Sequence, residues 1–356
     1  MTLFSTRSRG LTKALATASL TAAALMVVAC VPQPGTGTTT TTESTTTTEA
    51  TTTTTEATTT TTTPVPVDEV STIDVGGSVA TFATPTGIAV GPDGALYVAQ
   101  FDGTTVVAVT PDPDGAIEPV ASGLNKPSGV AVDAAGTVYI ADQHNHRIVQ
   151  VDADGNQSVL AGSGSAGYGD GTGTAASFNF PTGIAVADDG TIYVTDRYNN
   201  CIRAITAAGE VTTVTCSGLS FPSGLAATDT TLFVADELGN RVLTVDRATG
   251  TVAVLAGSGT AGDDDGTGGA ASFNNPSGVA VGPDGTLYVT DWGNHRIRSI
   301  DPATGAVSTL AGSTIGQADG PRSTATFDVP YGIAATDDAL YVVEFGGNHI
   351  RRIALP

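Results

Sequence analysis

Few residues in this chain of 356 could do acid–base, metal or nucleophilic chemistry, and most of those recur at fixed intervals. Its 4 histidines are His144, His146, His295 and His349, and its 3 cysteines are Cys30, Cys201 and Cys216. Asp142, Asp196, Asp236 and Asp291 close a shared apolar stretch, with Gln100 and Glu344 in the same place twice more. Side chains that recur in every unit are expected to serve the frame. These acids should accept N–H bonds of the following turn or pair with Arg147, Arg241 and Arg296. Specific chemistry is expected where the units differ. The residue directly after the acid or amide is Phe101, Gln143, Arg197, Glu237, Trp292 and Phe345 in turn. Neither G-x-S-x-G nor another nucleophile motif is present. Asp263-Asp264-Asp265 is the densest carboxylate run, but it lacks the D-x-[DN]-x-[DN]-G spacing of a calcium loop, and D-G is also a plain turn signal.

The elements that position these residues follow from six units opening at Pro85, Pro127, Pro181, Pro222, Pro276 and Pro330. Their spacings of 42, 54, 41, 54 and 54 residues suit propeller blades. Each unit reads as four short strands: a P-x-G start with small residues, a D-G turn, a polar loop, and a final V-x-x-L-A-G run. Gly (44), Val, Ile and Thr are abundant while charged residues make up 14%, as an all-β chain with many turns requires. The last unit ends after strand three. Val70-Ser71-Thr72-Ile73, ahead of the first unit, matches the strand-four stretch Val307-Ser308-Thr309-Leu310. The N-terminal strand is therefore expected to complete blade six and close a six-bladed ring, removing both sheet edges.

Strands alternate direction, so the loops after strand two share a face with the connections between blades. Phe101, Trp292 and Phe345 belong to blades that become contiguous on closure. Tyr331 joins them at the channel mouth, in a ring with Thr86, Ser128, Thr182, Ser223 and Ser277. Such an aromatic arc beside polar groups suits ligand binding; the alternative is that each ring packs under a neighbouring loop. Cys201 and Cys216 should face each other across the strand-three to strand-four hairpin of blade three, centred at Ala208-Gly209. Directly opposed residues lie about 4.5 to 5.5 Å apart, within reach of a disulfide. Two free thiols are the alternative.

The motif P-x-G-[IV]-A-V-x-x-D-G-x-[IL]-Y-V-[TA]-D-x-x-N-H-R-I, with V-x-T-L-A-G and A-x-F-N-x-P, resembles the NHL repeat over residues 67–356. That resemblance implies the fold, an all-β six-bladed propeller. It says little about function, because such propellers include receptor sensor domains, RNA and protein binders, and lyases. A three-His metal site like that of the lyases is not expected. His146 and His295 enter strand three of separate blades, about 10 Å outside the innermost strand, too far apart to share one metal. The hydroxyl ring has no carboxylate and is a poor site for the calcium of gluconolactonase-like propellers. No cofactor or metal is expected. A non-catalytic binding or scaffold module is the first reading, a metal-dependent lyase or lactonase the second, and a purely structural envelope role the third.

A net charge of −21 excludes the basic footprint that nucleic-acid binding needs. Residues 1–29 have a basic start (Arg7, Arg9, Lys13) and an apolar run from Ala14 to Ala29, shorter than the about 20 residues of a spanning helix. Val27-Val28-Ala29-Cys30 reads as a lipobox with Cys30 lipidated; an ordinary signal peptide with an incidental Cys is the alternative. Residues 30–66 are rich in Thr and offer nothing to bury, so a disordered stalk is expected. The propeller, 67–356, would then stand as a monomer outside the cytoplasmic membrane, held only by its lipid. Its partner would be an exported protein or a cell-wall glycan.

Overall fold

The computed structural model describes residues 68–356 except Pro113. The expected leader, Cys30 and the Thr-rich stretch lie outside the described residues. Each Pro-x-Gly unit folds into four antiparallel strands. In blade three these are Pro181–Val186, Ile192–Asp196, Cys201–Ile205 and Glu210–Thr215. The first two are joined by a turn in which Gly190 takes φ 79°, open to glycine at no steric cost.

Apolar residues on both faces of the blades bury against the neighbouring blades, giving six hydrophobic clusters, one at each seam. Near the axis the innermost strands come closer than any side chain allows. A Cβ on Gly183 would lie 2.2 Å from the Ser223 carbonyl oxygen, and one on Gly332 would lie 2.4 Å from that of Thr86. The second contact joins blade six to blade one, so the ring is closed. Glu69–Thr72 seals it as the fourth strand of blade six, with Val70 opposite Ile353 and Thr72 opposite Arg351.

Three blades have a fifth strand. The longer connections supply Gly171–Thr172, Gly266–Thr267 and Gly320–Pro321, which add to the outer edges of blades three, five and six. Each brings a carboxylate onto a fully buried arginine. Arg203 bonds Asp170 at 2.6 Å and Asp196 at 2.9 Å, and stacks over Phe178 at 5.2 Å. Arg298 does the same with Asp265, Asp291 and Phe273, and Arg351 with Asp319, Glu344 and Phe327.

Two expectations need correcting here. Asp142 and Asp236 do pair with Arg147 and Arg241. Asp291 instead pairs with Arg298, while Arg296 turns to Asp263 at 2.9 Å. The backbone N–H these acids accept is not in the following turn either. It belongs to the residue two places before the blade-opening proline, as in Asn179 N–H to Asp196 at 2.7 Å and Asn274 N–H to Asp291 at 2.8 Å. The acid thus fastens the entry of its own blade. Two of the three carboxylates of Asp263-Asp264-Asp265 are engaged by arginine.

Cys201 and Cys216 form a disulfide with a Cα–Cα distance of 4.1 Å. The hairpin itself is centred on Ala208, since Arg203 faces Thr213. A bulge after Ile202 shifts the register by one residue and sets the cysteines opposite each other.

Candidate functional site

Two rings of residues, each varying from blade to blade, meet on one face of the propeller. The first is the position after the strand-two acid or amide. There a short 3-10 turn carries Gln143, Arg197 and Trp292 over the axis, each turn ending in a left-handed residue, His146, Asn200 or His295. The second ring is the residue just before each opening proline: Thr84, Lys126, Phe180, Phe221, Asn275 and Val329. All six take φ between 50° and 57°, a strained conformation for an aromatic or β-branched residue. The strain is held by seam contacts. Asn348, Asn200 and Asn240 accept the N–H groups of Thr84, Phe221 and Asn275, while Nδ1 of His146 and of His295 accepts those of Phe180 and Val329. Two of the four histidines therefore serve as blade-to-blade acceptors. Burial lowers the pKa of His146, in keeping with a neutral ring there.

All six members of the first ring line a single cavity of about 560 Å³, with Phe180, Tyr198 and Val329 among the other walls. Phe101, Trp292, Tyr331 and Phe345 all face it. Tyr331 and Phe345 have ring centroids 5.9 Å apart, and Phe345 and Phe101 6.3 Å. Phe345 is 37% exposed and the other three are partly buried. The rings are therefore not sealed beneath their neighbours. Beyond Phe101 the aromatic series continues through His144, Phe180, Tyr198 and Phe221 at centroid spacings of 4.6 to 6.0 Å. The arc expected over blades five, six and one thus extends through blades two, three and four. Phe180 and Phe221 were not among the expected site residues, although the pre-proline position varies between blades as much as the first ring does.

The facing wall is polar. Arg197 donates from Nη2 to Glu237 at 2.7 Å and from Nη1 to the Tyr331 hydroxyl at 3.2 Å, reaching across the axis from blade three to blade six. Glu237 is 5% exposed, and burial raises its pKa above the ordinary value. Gln143 donates to Thr182 at 3.0 Å. Nε of Arg197 and Nε1 of Trp292 are buried here without a protein partner, and the Ser223 hydroxyl lies beside the Glu237 carboxylate.

Below lies the channel, a space of about 70 Å³ ringed by Thr86, Ser128, Thr182, Ser223, Ser277 and Tyr331. Thr86 and Ser277 turn their hydroxyls to backbone carbonyls of the next blade. The ring itself holds no carboxylate, but one stands above it. It is Glu237, and Arg197 offsets its charge. Among the described residues, no group of three His, Cys, Asp or Glu converges as a metal site would.

The NHL-repeat profile matches residues 124–151, 178–205 and 273–298. Over 275 residues the chain is 30% identical to Protein SUPPRESSOR OF QUENCHING 1, chloroplastic, of Arabidopsis thaliana, a match covering 68% of this chain and 26% of that protein. The chain spans about a quarter or less of the length of the curated relatives it matches. In fold it resembles an auxiliary nutrient binding protein from Bacteroides thetaiotaomicron, with a TM-score of 0.66 and 17% identity over 80% of this chain and 75% of that one. It also resembles a catalytically inactive virginiamycin B lyase from Staphylococcus aureus solved with quinupristin, with a TM-score of 0.55 and 16% identity over 81% and 99% of the two chains. At such identities the likeness concerns the fold alone. Repeat profile, six apolar seams and a ring closed by the N-terminal strand agree: the chain is a six-bladed β-propeller of NHL repeats.

Proposed function

We propose that this propeller is an exported, lipid-tethered binding module that takes its ligand in the top-face cavity, against Phe101, Trp292, Tyr331 and Phe345. One observation carries the reading. The positions at which the repeat abandons its pattern converge on a single cavity, while the positions it keeps are engaged within the frame. A volume of about 560 Å³ is within the about 300 to 1,000 Å³ of small-molecule sites. The walls divide into an aromatic side and a polar side, which suits an oriented ligand. Binding is favoured over turnover because the two charged groups on the polar wall are paired with each other. The basic start, the apolar run and the Val27-Val28-Ala29-Cys30 stretch support export and a lipid at Cys30, and the bacterial nutrient binding protein of like fold is in keeping with a binding role.

The chain has one tryptophan, and Trp292 lines the cavity, so its emission reports on this site. The test titrates the full chain with oligosaccharides, short peptides and aldonolactones. It follows Trp292 fluorescence and, by mass spectrometry, any product, with and without added Ca²⁺, Mg²⁺ or Zn²⁺. A ligand that shifts the emission and is recovered intact supports the module. Metal-dependent conversion would replace it with the lyase or lactonase reading. A ligand whose affinity survives Trp292→Ala together with Phe345→Ala would remove the site from this face.

A further inference from the structure

The two sides of the cavity define what the ligand must carry. Gln143, Arg197 and Glu237 line one side with donors and acceptors, and Phe101, Tyr331 and Phe345 line the other with aromatic rings. Polar groups covered by a ligand without a partner are costly, so a ligand that offers both donors and acceptors to that side gains most. The ligand therefore needs an apolar face toward Tyr331 and Phe345 and both donors and acceptors toward the polar wall. The Arg197–Glu237 pair, at 2.7 Å, leaves that wall without net charge. The strongly acidic chain, at −21, repels anions at longer range.

A peptide would be recognised most readily by pairing with free backbone groups of a strand edge. The backbone N–H groups of this rim are already engaged. Those of Phe101, His144, Tyr198, Leu238, Gly293 and Phe345 all donate to carbonyls of the segments that open the blades. Recognition must come from side chains. An uncharged ligand with an apolar face and with hydroxyls that both donate and accept matches this set of groups.

We propose that the cavity binds a neutral oligosaccharide. One pyranose ring lies against Trp292, Tyr331 and Phe345, with its hydroxyls turned to the polar wall of Gln143, Arg197 and Glu237. The following sugar units run out over Phe180 and Tyr198, whose rings are 4.6 Å apart and of which Tyr198 is 52% exposed. The inference rests on the top-face binding reading and gives it a ligand class.

The experiment titrates the full chain with maltotriose, cellotriose, mannotriose and chitotriose, with their monosaccharides, with trigalacturonate and with tripeptides. Both Trp292 emission and calorimetry are followed, for the native chain, Glu237→Gln and Tyr198→Ala. At least one neutral trisaccharide should shift Trp292 emission and bind at least tenfold more tightly than its monosaccharide and than trigalacturonate. Glu237→Gln should weaken it at least tenfold, and Tyr198→Ala should weaken the trisaccharide but not the monosaccharide. Tyr198 is on the surface, so its variant tests the idea even if Glu237→Gln fails to fold. A shift caused by tripeptides or trigalacturonate and by no neutral saccharide would overturn the carbohydrate class and leave the cavity as the site. A saccharide that binds by calorimetry without moving Trp292 emission, and equally well in both variants, would overturn the cavity reading itself. No saccharide binding at millimolar concentration would overturn the carbohydrate class.

Discussion

Two rings of side chains, one residue apart in sequence, are put to opposite uses in this propeller. The residue that ends strand two is an acid in five blades and an amide in the sixth, and it is held inside the frame by arginine, asparagine and backbone partners. Its successor is a different residue in nearly every blade and stands at the wall of the cavity. Alternation along a strand explains the divergence. As the strand leaves the sheet, one side chain points back into the blade and the next points over the axis. Repetition therefore marks load, and its failure marks a surface free to specialise.

The comparison breaks if the ring of acids can be altered cheaply. Asp196→Ala should cost about 3 to 5 kcal/mol, because it strips a partner from Arg203, which is fully buried; chemical denaturation measures this. A cost under about 1 kcal/mol would dissolve the distinction between the rings. The disulfide is a local device of blade three. Replacing Cys201 and Cys216 by serine opens the loop they close, 15 positions apart in sequence, and should cost about 3 kcal/mol, read in the same way.

Glu344 sharpens the comparison through pH. Burial raises its pKa from 4.5 to about 7, against the pull of Arg351. Between those values the folded state keeps a proton that the unfolded state has released, so the contribution of Glu344 to stability is greatest at the acid end. It falls as pH rises from 4.5 to 7 and levels off above that, a loss of about 3 kcal/mol at most. Glu344→Gln, which installs the side chain that blade one already has at Gln100, should flatten this slope in thermal melts between pH 4.5 and 8. An unchanged slope would show that Glu344 is ionised throughout.

The smallest effect on stability belongs to the ring that follows the acids. Phe345→Ala should change it by less than about 1 kcal/mol, since the ring is partly exposed. It should nevertheless shift the Trp292 emission and weaken any ligand of the cavity. A loss of stability as large as that of Asp196→Ala would show that the aromatic wall is part of the frame.

The amino-acid order alone determined the six blades, their strands and the strand that closes the ring. These rest on local turn signals and on a pattern repeated six times, so one correct register fixes the others. It also placed Phe101, Trp292, Tyr331 and Phe345 on one face, because strand direction and blade adjacency follow from topology. Only the tertiary structure decided the rest. The Arg203, Arg298 and Arg351 clamps depend on fifth strands whose two residues leave no periodic signal. The facing of Cys201 and Cys216 depends on a bulge that shifts the hairpin by one residue. The reach of Arg197 across the axis to Tyr331, and its pairing with Glu237, join blades three, four and six. No spacing along the chain encodes contacts of that kind, because they exist only once the ring has closed.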